Sequence, residues 1–179
     1  MEFPESKILM HSYEFKHFSQ LLNIWNEVIT EEDCLMYDKP FSSDAFLDML
    51  SAQSAVGCAT LDDGAVAGFY MLRPNFVGKG SHIATASYAV GKDYRATEAG
   101  KILAADSLQK AEYLGFTAMQ FNVASTNTGA IRLWQTLGFV VLGEIPYAYQ
   151  TKRGGKASVY IFHKSIYEPD ETQAVPDEI

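Results

Sequence analysis

Short apolar runs alternate along this chain with longer stretches at helical spacing. SKILMHSY reads as a strand, and FKHFSQLLNIWNEVI after it carries Phe18, Leu21, Leu22, Trp25 and Val28 on one helical stripe. TEEDCLMYDKPFSSD is polar and irregular, which predicts a loop, and Ser42 or Ser43 can cap a second helix bearing Phe46, Leu47 and Leu50. SAVGCATL and AVAGFYMLR are β-type runs separated by Asp62, Asp63 and Gly64, and an Asp-Gly step between such runs predicts an antiparallel hairpin. After the loop NFVGKGS, HIATASYAV is small, aromatic and uncharged, the composition of a central strand covered on both faces.

Residues 98 to 114 place Ile102, Ala105, Leu108, Ala111 and Leu114 on one stripe, and Gly115 stands where a left-handed cap closes a helix. TAMQFNV predicts a strand, TNTGAIRLWQTL a helix ending at Gly138, and FVVLGEI and ASVYIFHKSI the last two strands. The order is strand, two helices, three strands, helix, strand, helix, two strands, with no repeat and no Gly/Ser linker. We expect a single α+β domain over 1–167 and an acidic, disordered tail over 168–179.

Two segments carry chemistry. YAVGKDYRATEAGKIL runs from a buried-type strand through a short turn into a helix beginning near Glu98. Free N–H groups at that helix start, the positive end of its dipole, and Arg95 or Lys101 can together hold a phosphate. An ordinary strand-to-helix connection with a solvent-facing arginine fits the segment alone equally well. NTGAIRLWQTLGF places Ala130, Ile131, Leu133, Trp134 and Leu137 on a short helix closed by Gly138, and Asn127 taken by itself reads first as its N-cap.

Together the two segments resemble the acetyl-CoA-binding core of the GNAT-type N-acetyltransferase superfamily. The pattern Q/R-x-x-G-x-G/A corresponds to Arg95, Ala96, Thr97, Glu98, Ala99 and Gly100. The pattern N-x-x-A-x-x-L/F-Y/W-x-x-x-G-F corresponds to Asn127, Ala130, Leu133, Trp134, Gly138 and Phe139. The resemblance extends from about Ser54 to Lys164, and FNVASTN and LWQTLGFVVLGEIP are loosely similar to a bacterial or fungal subgroup. It implies a mixed, mostly antiparallel sheet of six or seven strands with helices on both faces, splayed between the two central strands. It also implies acetyl-CoA as cosubstrate, with no metal, and transfer of the acetyl group to a primary amine of a small molecule or peptide. Ala89 and Val90 would lie along the pantetheine arm, residues Arg95 to Lys101 would cradle the pyrophosphate, Asn127 would touch the arm, and Trp134 would lie beside the thioester sulfur.

Two residues depart from the family pattern. Glu98 stands where the family has its first glycine, adding a negative charge beside a phosphate site. Trp134 stands where many relatives carry a proton-donating tyrosine, and an indole N–H can donate a hydrogen bond but cannot act as an acid. Tyr147 and Tyr149 are candidate substitutes. For the base, His82, Glu144, Glu31, Glu32 and Asp33 are candidates, while His11, His17 and His163 have no partner visible in the sequence. Glu98 and Trp134 together motivate an alternative, a non-catalytic acyl-CoA-binding or regulatory module.

Composition narrows the partners. Fourteen Lys and Arg against 22 Asp and Glu give a formal charge of −8, which argues against bulk attraction to nucleic acid or anionic lipid. Five of those acids lie in the last dozen residues, so the rest of the chain is far less acidic and only mildly favours cationic acceptors. Two cysteines without metal-ligand spacing, no membrane span and no apolar leader predict a cytoplasmic protein. Tyr160 and Phe162 on the last strand exceed what one core is expected to cover, which suggests a homodimer.

Overall fold

The computed structural model describes residues 7–31 and 34–167; Glu32, Asp33 and the tail expected over 168–179 lie outside the described residues. Seven strands form one sheet: β1 (Leu9–Ser12), β2 (Ala55–Thr60), β3 (Val66–Pro74), β4 (Ile83–Val90), β5 (Ala118–Ala124), β6 (Val140–Gln150) and β7 (Lys156–Ser165). Their order is β1-β2-β3-β4-β5-β7-β6, antiparallel throughout except for β4 beside β5. The four helices are α1 (Phe18–Glu31), α2 (Ser43–Ser51), α3 (Ala99–Tyr113) and α4 (Thr128–Thr136). The fold is thus the mixed, mostly antiparallel α+β architecture expected from the sequence, with helices on both faces.

Local chemistry fixes the helix ends. The Ser42 hydroxyl accepts from the Ala45 N–H and caps α2. Gly115 and Gly138, at φ of +82° and +81°, close α3 and α4 in the left-handed conformation that glycine adopts without a Cβ clash. On one face of the sheet, Leu103, Ala104 and Ala111 of α3 and Trp134 of α4 pack on Tyr70, Leu72, Ala84 and Ala86. On the other, Leu21, Trp25 and Val28 of α1 and Phe46 and Leu50 of α2 pack on Cys58, Phe69, Met71 and Ala89.

The buried stripe of α3 differs from the one the spacing predicts. Leu103, Ala104, Ser107 and Ala111 are buried, while Ala105 and Leu114 are exposed. Two tyrosines on the sheet explain the rotation. The Tyr70 hydroxyl donates to Asp106 Oδ2 at 2.7 Å, and the Tyr88 hydroxyl pairs with Ser107 Oγ at 2.8 Å. Phenols buried under a helix need polar partners, so polar positions of α3 face inward where apolar ones were expected.

The last strand also differs from expectation. Phe162 is 0% exposed within the single chain, and Tyr160 is half-buried against the same core. Neither leaves surface that one core fails to cover. The exposed apolar side chains of this region are instead Val140, Val141, Leu142 and Ile145 on the edge strand β6.

Between β4 and β5 the pairing is confined to Ile83–Ala118 and Ala84–Met119, and the strands then diverge. The antiparallel β3–β4 pairing assigns alternate residues to β3. The bonds Asn75 N–H to Ile83 O and Gly91 N–H to Ala67 O set the odd-numbered residues of β4 toward β3, Ala89 among them. The main-chain groups of Ala86, Tyr88 and Val90 therefore face the gap. Gly68 lets β3 lie close beneath this end of β4: a Cβ there would meet Ala89 O at 2.7 Å and Leu103 Cδ1 at 2.9 Å.

Because one of those neighbours is backbone, Gly68→Ala is expected to force β3 and β4 apart and destabilise the protein by about 1–3 kcal/mol. Calorimetry checks this as a fall in Tm of roughly 3–10 °C; an unchanged midpoint would show that this end of β4 yields freely.

Candidate active site

The gap between β4 and β5 opens into a cleft of about 730 Å³. The starts of α3 and α4 both face it, through residues 97, 98, 100 and 101 on one side and 126–130 on the other. Its floor is apolar, formed by Tyr88, Val90, Leu103, Leu133 and Trp134. Trp134, only 4% exposed, lies with its ring centroid 4.8 Å from that of Tyr88 and 4.7 Å from that of Phe121, so one aromatic ring sits beneath both diverging strands.

At the α3 start, the Thr97 hydroxyl donates to Tyr94 O at 2.6 Å and accepts from the Ala99 N–H at 3.2 Å. The N–H groups of Gly100 and Lys101 have no acceptor among the described residues and mark the positive end of the helix dipole. At the α4 start, Asn127 Oδ1 accepts from the Ala130 N–H at 3.2 Å, the N-cap role read from the sequence. Its Nδ2 makes no bond among the described residues, so the same amide can face a ligand.

The sequence-derived binding residues gather here with three differences. Ala89 lines the cleft, but its main chain belongs to β3, and Tyr88 and Val90 present theirs to the gap. Ala99 is fully buried in the core under α3, while Gly100 and Lys101 line the cleft. Arg95 is already engaged: its Nη2 lies 2.9 Å from Glu27 Oε1, its Nη1 3.5 Å from Glu31 Oε2, and its Nε donates to Val90 O at 3.2 Å. Its charge is largely answered by α1, so it clamps the 91–97 turn rather than offering a free cation. Ala96 in that turn holds a left-handed φ of +60°.

Glu98 extends to solvent and lies 3.5 Å from the Lys101 ammonium. Each neutralises part of the other's field at the mouth of the cleft.

Glu32 and Asp33 lie outside the described residues, and none of the other candidates for proton transfer lines this cleft. His82 precedes β4 at its opposite end, eight residues from Val90 or roughly 26 Å of extended chain, with Nδ1 3.1 Å from Lys79 O. Tyr147 is 75% exposed on β6, at a φ of +57°. Tyr149 is 6% exposed and its hydroxyl donates to Leu35 O at 3.1 Å, tying β6 to the α1–α2 connection. Glu144 is exposed on β6, and Glu31 is paired with Arg95. Burial pushes the Cys58 thiol up to about 12, and Cys58 lies in the core away from the cleft.

Sequence reasoning missed Tyr88, Tyr94 and Cys34 as lining residues. Tyr88 was legible, since alternation along HIATASYAV offers either 88 and 90 or 87 and 89 to the gap, but the choice depends on the register with β3. Among the described residues, no group of three or more His, Cys, Asp and Glu is placed to hold a metal, and no helix is long and apolar enough to cross a membrane.

Residues 19–139 match the profile of the family described as acetyltransferase (GNAT) family. N-acetyltransferase aca1 of Schizosaccharomyces pombe is 35% identical over 97 residues, which take in 53% of this chain and 46% of that protein, so the match spans less than half of that relative. A GCN5-related N-acetyltransferase from Kribbella flavida superposes with a TM-score of 0.84 at 29% identity, over 91% of this chain and 99% of that one. The protein yncA of Salmonella typhimurium, solved with its cofactor acetyl-CoA, shares the fold at a TM-score of 0.83 and 19% identity, over 97% of this chain and 100% of that one.

The clamp on the 91–97 turn is testable without any ligand. Arg95→Met should cost on the order of 1 kcal/mol, allowing for the solvent that still reaches each partner, and should speed amide exchange across residues 91–98. Glu27→Gln should do the same more weakly. Exchange that stays slow in Arg95→Met would show that the turn is held by its backbone alone.

Proposed function

The chain belongs to the acetyltransferase (GNAT) family, and on that premise we propose that it transfers an acetyl group from acetyl-CoA to a primary amine by direct attack in a ternary complex. The observation that carries this reading is the convergence of two helix starts and one unpaired strand segment on a single cleft. The N–H groups of Gly100 and Lys101, with the Lys101 ammonium, suit a pyrophosphate. The main-chain groups of Tyr88 and the N–H of Val90, whose carbonyl accepts from Arg95 Nε, suit the amides of a pantetheine arm, and Asn127 Nδ2 offers a further donor. Trp134 and Leu133 supply apolar cover for the thioester end.

In this reading the amine nitrogen attacks the thioester carbonyl carbon, the carbon–sulfur bond breaks, and CoA leaves as its thiolate. Charge developing on the carbonyl oxygen needs a donor already in place, and β4 turns the N–H groups of Tyr88 and Val90 into the gap, Tyr88 being the one beside Trp134. Among the described residues no histidine lines the cleft, and Glu27 and Glu98 are committed to Arg95 and Lys101. In this reading the amine proton passes to water. A thiol with a pKa near 8.5 is a tolerable leaving group without an enzymatic acid. The solvent-facing, Lys101-paired posture of Glu98 removes one of the two motives for a non-catalytic module. We infer a cytoplasmic homodimer as the setting, supported by two cysteines without a disulfide and by the apolar residues exposed on β6.

Acetyl-CoA at a hundredfold its Kd is expected to raise folding stability by about 2.7 kcal/mol, with unrelated nucleotides giving less. Glu98→Gln frees Lys101 and should tighten acetyl-CoA binding about two- to fivefold at low salt, the gain shrinking as salt screens it. Absence of any acetyl-CoA shift, read by differential scanning fluorimetry, would overturn the cofactor assignment.

Tyr149→Phe and Tyr147→Phe are each expected to lower kcat less than about tenfold, since neither phenol faces the sulfur, whereas removal of a true general acid costs about 10² to 10⁴. Tyr149→Phe should chiefly raise KM for the acceptor by loosening the segment around Leu35. A hundredfold loss of kcat with intact cofactor binding would identify that tyrosine as the acid.

A further inference from the structure

A second cleft, of about 550 Å³, lies on the other face of β4. It adjoins the first: Ser87 lines it while Tyr88, Ala89 and Val90 line the acetyl-CoA cleft, and Tyr37 lines it while Cys34, three residues earlier in the α1–α2 connection, lines the other. Ser87 lies beyond Ala84, where β4 has already parted from β5, so the gap gives a molecule here access to the thioester.

The charge of this cleft runs against that of the chain. Arg73 is the one charged residue lining it, and no acid does so among the described residues. The sequence has no Asp or Glu between Gly64 and Asp93, in a chain that holds 22 of them. The Arg73 guanidinium makes no ion pair or hydrogen bond among the described residues, and the side chains of Ser81, Ser87 and Asn75 around it are likewise unpaired. A guanidinium with neutral hydroxyl and amide neighbours presents two parallel donors and a single positive charge. That arrangement matches a planar, singly charged carboxylate better than a doubly charged phosphate.

Arg73 pairs in register with Thr85, two residues or roughly 7 Å along the strand from Ser87. An amine over Ser87 and Ala89 and a carboxylate on Arg73 therefore fit one small molecule, but not the N-terminus of a peptide whose carboxylate is far away. Resting on the acetyl-transfer reading above, we propose that the acceptor is a free amino acid, held by its carboxylate on Arg73. The local field thus reverses the mild preference for cationic acceptors that overall charge suggests.

The test is an acceptor panel that pairs free amino acids with their amides and their decarboxylated amines, on the wild type, Arg73→Gln and Arg73→Lys. Wild type should favour the free acids by about tenfold or more in kcat/KM. Arg73→Gln should lose about tenfold to a hundredfold on the acids, through KM, leave the amides and the KM for acetyl-CoA unchanged, and be partly restored by Arg73→Lys. Equal turnover of acids and amides, or an equal loss on both in Arg73→Gln, overturns the carboxylate site and leaves the transfer reaction standing. Titration of the CoA-bound protein with the amino acid, read by tryptophan fluorescence, tests the site without turnover. Saturable binding lost in Arg73→Gln supports the site even where no amine is acetylated, an outcome that would sink the transfer reaction alone; no binding of any amino acid to the wild type overturns the site.

Discussion

Everything at the candidate site depends on the parting of β4 from β5. A fully zipped parallel pair would bury the main-chain groups of Tyr88 and Val90 in a ladder and leave no cleft. Pairing instead stops at Ala84–Met119, and the aromatic group beneath the gap accounts for its width. Trp134 of α4 lies under both strands, touching Tyr88 from one and Phe121 from the other, with Phe139 5.3 Å behind it. An interior packed to crystal-like density cannot absorb that indole and also let the strands close. The same ring serves as wedge and as floor, and Trp134 is used twice at a position where an acid would serve only one purpose.

The second organising feature is how charge is distributed around the gap. On the α1 side, Glu27 and Glu31 hold Arg95 and thereby fix the turn that leads into α3. At the α3 start, Glu98 and Lys101 offset each other, so what distinguishes the helix terminus is its free N–H groups rather than a concentration of cations. A backbone donor array costs little to preorganise and does not require a basic protein, which reconciles the proposed anion-binding role of the cleft with a net charge of −8. On the far face of β4 no acid lines the cleft among the described residues, and a single exposed arginine sets the local sign.

The order and type of elements were legible because each rests on local physics. The Asp-Gly step between two β-type runs predicted the hairpin around Gly64, the helical stripe predicted α1, and glycine at a left-handed position closed α3 and α4. Asn127 was read as a cap, and caps α4. The inward stripe of α3 was misjudged because Ser107 and Asp106 turn inward to meet hydroxyls from Tyr88 and Tyr70, strands apart in sequence. The surface assigned to Tyr160 and Phe162 was misjudged for a related reason: β7 inserts between β5 and β6, which buries Phe162 and leaves the row on β6 exposed.

The sequence by itself determined the strands and helices, the turn chemistry, and the two segments that line the main cleft, because these follow from side-chain periodicity and backbone conformation over a few residues. Tertiary structure alone decided which atoms face the gap. That choice depends on the register of β4 against β3, on the partners Arg95 finds in α1, and on the placement of Arg73 across β4 from the cofactor cleft. None is encoded locally, since each is a pairing between segments tens of residues apart, settled only when strands align and buried polar groups find their mates.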